Sequence, residues 1–487
     1  MKKKNKYYGL ACLVFALGVT IIYVFMKPAP FISLFPIEHY DQDISHWINP
    51  ADPNYSKTLV SPDKQATRFA DFKRHYVGDL SPWEVSYMQR IHSPSSLKAF
   101  ITDNLAHYSN VNKPASKIGY GLNLRPLTSE WITRLEKKCH LEALKTLNFN
   151  EKNRAITVNN TQGRELPTDD VHTYHPRFAG QGYPFDNLQA SAVMAGTPIY
   201  VFAESSDHAW VLVQSPHFMA WIKSTDIAWV DEHFVSTWRE AVNTGLYAIT
   251  ATEIPLIEHL TPTQTVFRGL GYIGMVFPGD TVGKGRRLMI PVRNQQARAE
   301  LHYALLQGDH ARPMPLTATP EHFVTLMRQL LDRPYGWGSM YFYNDCASEL
   351  KNLFTPFGFG LPIHSSAQVD PKRYTVKAID LSKDDRQTRL SFLKTQGHPF
   401  MTILYDGGHV LLYLGNYPNP DDPKHAPVAL SYQDVWALEP RQPKVGEDRR
   451  SIIGRSVLLP ILPYYPEDTG VASDVDYKYF KLGFLDD

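Results

Sequence analysis

Cysteine is scarce in this chain of 487 residues: Cys12, Cys139 and Cys346 are the three. Three thiols at that spacing make no disulfide framework, and pairing Cys139 with Cys346 would consume the cysteine whose setting suggests chemistry. No His-Glu-x-x-His and no pair of Cys-x-x-Cys occurs, so zinc has no support in the sequence, and no metal or other cofactor is called for. Excess charge is lacking as well. A formal net charge of +1 is not the basic surplus of a nucleic-acid binder. A phosphate loop is missing too. Gly269-Leu270-Gly271-Tyr272-Ile273-Gly274 spells a dinucleotide fingerprint, but no strand-helix pattern with an acidic residue follows it, and a turn-rich β segment is the reading.

What is present begins with an export signal. Lys2, Lys3, Lys4 and Lys6 precede an apolar run of 18 residues, 9–26, long enough for a short membrane span. The basic flank keeps the N-terminus cytoplasmic and puts the remainder outside, periplasmic or at the cell surface. Lys27-Pro28-Ala29-Pro30 offers no small-x-small cleavage site, so the expectation is an uncleaved anchor, with a cleaved signal peptide as the alternative. Cys12 lies at the start of the run, not at its end where lipidation would need it.

At this length about three domains are expected. Residues 37–147 read as mainly helical, and a polar connector runs to Tyr183. Short β runs follow, 198–202, 209–213 and 219–222, each bounded by Ser, Asp, Gly or Pro, and a second set occupies 246–306. Two small barrels are the expectation. Trp210, Trp221 and Trp229 suit core or interdomain packing better than sugar stacking. The boundaries expected are 1–30 for the anchor, 31–183 for a helical and irregular segment with its connector, 184–236 and 237–312 for the barrels, and 313–487 for a C-terminal domain.

That last domain carries the chemistry. Arg333-Pro334-Tyr335-Gly336-Trp337-Gly338 leads to Asn344-Asp345-Cys346, and then Leu350, Leu353, Phe354 and Phe357 recur at helical spacing. Asn344 and Asp345 are both candidate N-caps, so Cys346 falls in the first helical turn. There the helix dipole favours the thiolate, and a pKa roughly one or more units below the free value of about 8.5 is expected. A buried, inert cysteine is the alternative. Cys139 reads as a packed helix residue. Further on, Asp406-Gly407-Gly408 reads as a hairpin turn that puts His409 at the mouth of a strand, on the face of Leu411 and Tyr413. A third run, 428–432, ends at Gln433, three residues before Trp436. A cysteine on a helix start, a histidine on a strand and a polar group on the next suit acyl transfer by a thiol. His425 and Ser431 are the other candidates for the third group.

Tyr335-Gly336-Trp337-Gly338, Asp345-Cys346, Leu361-Pro362 with Ser365, Ser366 and Gln368, and Gly408-His409-Val410 with Tyr413-Leu414-Gly415 together resemble the NlpC-type cell-wall cysteine endopeptidases. The resemblance implies a multidomain α+β chain: a papain-like C-terminal domain preceded by two SH3-like β-barrels and a mainly helical stabilising segment. It implies cleavage of the γ-D-glutamyl-diamino-acid bond of peptidoglycan stem peptides. Cys346 would be the nucleophile, His409 the base and acid, and Gln433 the orienting group. Tyr335, Asp345 and Ser348 would contact substrate. A free N-terminal L-alanine would be admitted by the first barrel, with Glu204 and Asp207 of its early loop as partners for the ammonium. The chain departs from the family in having Ala347 directly after the nucleophile and His364 before the serine pair. An anchored wall-binding protein with a silent peptidase-like domain, or an amidase or acyltransferase on the same core, are the competing functions.

Overall fold

The computed structural model describes residues 33–175, 182–420, 422, 424–441 and 450–487. The apolar run at 9–26 and Cys12 lie outside them, and among the described residues no helix is long and apolar enough to cross a membrane.

The N-terminal helices start where the sequence provides caps. Ser61 accepts from the Lys64 N–H ahead of Pro62–Tyr76, Ser93 and Ser96 form a reciprocal box at Pro94–Tyr108, and Thr128 caps Ser129–Lys138. Their apolar faces do not meet in one bundle. The segment is shared out among three cores, Pro94–Tyr108 and Ser129–Lys138 entering one of them together. Leu97, Ile101, Leu105 and Trp131 pack with Tyr200, Phe202, Trp210 and Trp221 of a first β unit. Phe72, Tyr76 and Trp83 pack with Trp238, Tyr247 and Phe277 of a second. Ile44, Trp47 and Val60 enter the core of the C-terminal domain beside Phe323, Phe354 and Phe357. At about 1.5–3 kcal/mol for a fully buried large apolar side chain, this segment fastens every unit to its neighbours. Polar pins fix its path: Gln65 Nε2 donates to the carbonyls of Leu316 at 2.6 Å and Phe357 at 2.9 Å, Tyr76 to Gly196 at 2.9 Å, and Trp83 to Ala155 at 2.8 Å.

Three seven-stranded sheets follow, so the chain is a multidomain α+β protein. The first runs Gln189–Val193, Thr161–Arg164, Met219–Lys223, Trp210–Gln214, Pro198–Glu204, Arg154–Thr157, Ile227–Trp229. Two of its strands, Arg154–Thr157 and Thr161–Arg164, lie where the sequence reads as N-terminal segment and connector. They escape notice because each holds a buried arginine that breaks the apolar pattern. Trp210 and Trp221 are buried in this unit's core. The second sheet spans Leu246–Ile249 to Ala311–Pro313. Within it Gly269, Leu270 and Gly271 pair antiparallel with Ile254, Pro255 and Leu256, in a β ladder and not a nucleotide loop.

The C-terminal sheet orders Ser33–Leu34, Ser451–Ile461, Pro427–Leu438, Val410–Pro418, Thr402–Tyr405, Lys481–Phe484, Lys377–Asp380. Ser33–Leu34 joins parallel to Ser451 and Ile452, while the other neighbours are antiparallel. The helix Cys346–Phe354 lies against this sheet, with Leu350, Leu353 and Phe354 fully buried among Val410, Leu412 and Tyr432. That packing brings the helix start to the mouth of the strand Val410–Pro418.

Candidate active site

Asp345 is the N-cap of the helix Cys346–Phe354. Its Oδ1 accepts from the Ser348 N–H at 2.8 Å and its Oδ2 from the Gly338 N–H at 3.2 Å, while Ser348 Oγ accepts from the Asp345 N–H at 2.8 Å. The cap thus ties the helix to the Tyr335–Gly338 turn and engages the amides beyond Cys346. A backbone N–H at such a helix start is the kind of group that can receive an oxyanion. Gly338 has φ +58°, and a side chain there would meet Gln189 at 2.8 Å. Glycine is required on both counts.

Behind the cap sits a buried carboxyl network. Glu349 accepts from Asn344 Nδ2, from the Tyr432 hydroxyl and from Ser456 Oγ, and Asn352 Nδ2 donates to Asn344 Oδ1 at 2.8 Å. These bonds hold Asn344, two residues before Cys346. The sequence pattern gave no sign of them, because Glu349 and Asn352 read as an ordinary polar helix face.

His409 follows the Asp406–Gly408 turn, in which Gly407 takes φ +120° and Asp406 Oδ1 accepts from the His409 N–H at 3.1 Å. The His409 Nε2 lies 2.8 Å from Gln433 Oε1. Of the three candidates for the third group, Gln433 is the one beside His409: Ser431 stands behind Gln433, accepting from its Nε2 at 3.1 Å, and His425 is exposed at a hairpin tip. Cys346 and His409 line one groove. That groove holds about 430 Å³ and is lined by Phe185, Tyr335, Trp337, Cys346, His409 and Trp436, among others.

Its electrostatics correct the expected thiolate. Burial, then the neighbouring Asp345, with Asp434 and Asp406 behind, push the Cys346 thiol well above the ordinary range, against a smaller opposing pull from the Val410 N–H. Burial lowers His409 to about 4, opposed by its bond to Gln433. Burial, the largest cause for both groups, favours the thiol and the neutral imidazole over the ion pair. Burial, then Cys346 and Asp345, also raise Tyr335, whose hydroxyl stays a proton donor.

One groove wall comes from the first β unit. The Phe185 ring stands 5.1 Å from that of Trp337, 5.0 Å from Trp436 and 6.4 Å from Tyr335, and Gln189 Nε2 donates to the Gly338 carbonyl at 2.9 Å. No periodic signal in the sequence announced Phe185. Glu204 and Asp207 lie elsewhere: Glu204 holds His208 Nδ1 at 2.8 Å, and Asp207 pairs with Lys138 at 2.9 Å. Neither lines the groove. Cys139 is fully buried at a helix end, where burial pushes its thiol up to about 12.

Residues 9–144 match the model of the NLPC_P60 stabilising domain, and residues 173–223 match that of the SH3 domain of SH3b1 type. Among solved structures, a novel NlpC/P60 endopeptidase from Photobacterium damselae subsp. piscicida is similar with TM-score 0.78 and 24% identity, over 93% of this chain and 99% of that one. NlpC2 from Trichomonas vaginalis aligns at TM-score 0.22 and 10% identity over 66% and 96% of the two chains. No curated protein matches. The chain therefore has the NlpC/P60 endopeptidase fold. It is built as the NlpC-type multidomain proteins that its motifs resemble, with their N-terminal stabilising domain and an SH3 domain.

Proposed function

We propose that this protein is a peptidoglycan hydrolase, a cysteine peptidase that cleaves the γ-D-glutamyl-diamino-acid bond of stem peptides. The reading is carried by the His409–Gln433 pair, which shares a groove with a cysteine at a capped helix start. Cys346 attacks the γ-carbonyl while His409 takes its proton. The Cys346 N–H receives the oxyanion, and His409 then protonates the departing amine of the diamino acid. Water, activated by the same histidine, releases the glutamyl product from the thioester. Tyr335 donates to the substrate, and Asp345 and Ser348 hold the floor beneath it. We assign the core as papain-like and both β units as SH3-like barrels, the first walling the upstream end of the groove through Phe185. We further propose that the chain is exported and held at the membrane by residues 9–26.

The test is incubation of the purified chain with L-alanyl-γ-D-glutamyl-diaminopimelate, its N-acetylated form and a Cys346→Ala control, with products followed by mass spectrometry. Release of diaminopimelate by the parent alone supports the reading. Cleavage of the free but not the acetylated peptide adds an ammonium-reading subsite. No cleavage by a folded chain with an alkylatable thiol overturns it in favour of a silent wall-binding protein or another acyl substrate.

A further inference from the structure

A second and larger cleft, about 670 Å³, opens behind the nucleophile helix and shares no lining residue with the groove. Four parts of the molecule wall it: the helix Pro62–Tyr76, the first β unit through His217 and Phe218, the second through Gly274 to Val276, and the C-terminal domain through Lys351 and Tyr374. The walls are fixed against one another. Gly274, at φ +89°, abuts the Asn352 backbone so closely that a side chain would meet it at 2.8 Å.

Lys351 is out of keeping with its surroundings. It lies half-buried on the nucleophile helix, and its Nζ reaches only the Asn352 Oδ1, at 3.3 Å. Among the described residues no carboxylate holds it up: burial alone moves it, down to about 8. Lys372, Arg373, His75 and His217 also face the cleft. The one carboxylate lining it among the described residues, Asp71, lies 3.7 Å from Arg74 and 4.0 Å from His75 on its own helix. A half-buried lysine at the wall of a cleft, with no carboxylate beside it among the described residues, gains a charge partner when an anion enters. The volume is that of small-molecule sites, and Phe72, Phe218 and Tyr374 supply the apolar and aromatic lining such sites use.

We propose that this cleft is a binding site for a small organic anion, whose carboxylate or phosphate is held by Lys351. The site is independent of the peptidase reading. Its ligand would clamp the stabilising segment, both β units and the C-terminal domain together. It would also touch the network that sets the nucleophile, since Asn352 bonds Asn344.

Isothermal titration of the full chain with inorganic phosphate, and separately with acetyl-D-alanyl-D-alanine as a carboxylate-ended peptide, tests it. One probe should saturate a single site with Kd of about 1 mM or tighter, and the probe that does so identifies the anion as phosphate or carboxylate. Lys351→Met should weaken that binding at least about tenfold, as loss of a charged hydrogen bond implies, while Cys346→Ala leaves it unchanged. A measurement on the parent needs no variant to fold: the bound probe should slow reductive methylation of Lys351, read by peptide mass spectrometry. Absence of saturation by either probe, unaltered binding in Lys351→Met, or a methylation rate indifferent to the probe overturns the site.

Discussion

His409 Nε2 stands 2.8 Å from Gln433 Oε1, and the direction of that bond is set two groups further on. Ser431 Oγ gives its proton to the Leu459 carbonyl at 2.6 Å, so toward Gln433 it can only accept, and the amide nitrogen faces it at 3.1 Å. The amide oxygen is left for the imidazole. A neutral His409 therefore carries its proton on Nε2 and leaves Nδ1 unprotonated.

Removing this chain of bonds should cost turnover rather than binding. In Gln433→Ala, kcat should fall about 10–100-fold, at or below the low end of what a positioned base itself contributes, with KM little changed. Gln433→His, which keeps an acceptor on the same strand, should recover most of the loss. Steady-state kinetics on the stem tripeptide decide it. An Ala variant with parental kcat would mean that Gln433 does not orient the ring.

The titration behaviour of the pair can be signed. A histidine lowered to about 4 is neutral, and so a competent base, at every pH above that value. The acid limb of kcat/KM should therefore fall near 4 and not near the ordinary histidine value of about 6.5. Gln433→Ala removes the bond that raises His409 and should move the limb lower still. With the Cys346 thiol held up, alkylation by iodoacetamide should keep accelerating through pH 9 or so, beyond the free-cysteine value of about 8.5. A limb near 6.5 with pH-independent alkylation would indicate a preformed ion pair instead.

Asp345 both caps the helix and disfavours the thiolate, and two variants separate these roles. Asp345→Ala loses the bonds to Ser348 and Gly338 and should destabilise the chain by about 0.5–2 kcal/mol, read as a lower melting temperature. Asp345→Asn keeps an acceptor for the Ser348 N–H without the charge. It should melt close to the parent, yet alkylate faster at pH 7, because the nearest carboxyl raising Cys346 is gone.

What was legible in the sequence was whatever chemistry writes locally. A cap before an amphipathic run marked Cys346, an Asp-Gly-Gly turn marked His409, and the spacing to Trp436 marked Gln433. The third sheet's first strand was not legible, since Ser33 meets Ser451 across 418 residues of chain and no local pattern encodes such a pairing. Nor were Arg154–Thr157 and Thr161–Arg164, whose buried arginines read as surface. The thiol's pKa misled for a related reason. The helix terminus is visible in the sequence, but the approach of Asp406 from a hairpin turn and of Asp434 from the strand Pro427–Leu438 is not.

The same blindness hid the residue that shapes the groove. Arg164 Nη1 lies 2.6 Å from Asp186 Oδ2 with both side chains buried, and the guanidinium also donates to the carbonyls of Thr168 at 3.1 Å and Asp170 at 2.8 Å. Asp186 Oδ1 in turn receives the N–H groups of His172 at 3.1 Å and Leu188 at 3.0 Å. The loop so fixed carries Phe185 into the groove beside Trp337 and Trp436. Arg164→Met strands a buried carboxylate and should cost about 3–5 kcal/mol of stability. It should also raise KM for the stem tripeptide, because Phe185 loses its support. The double variant Arg164→Met with Asp186→Asn removes the stranded charge and keeps an acceptor for the two loop amides, so it should regain most of the melting temperature. If KM recovers along with stability, the loop and not the charge holds the groove wall. A melting temperature restored with KM still high would assign Arg164 a separate part in placing Phe185, and an unaltered KM in the single variant would remove Phe185 from substrate binding altogether.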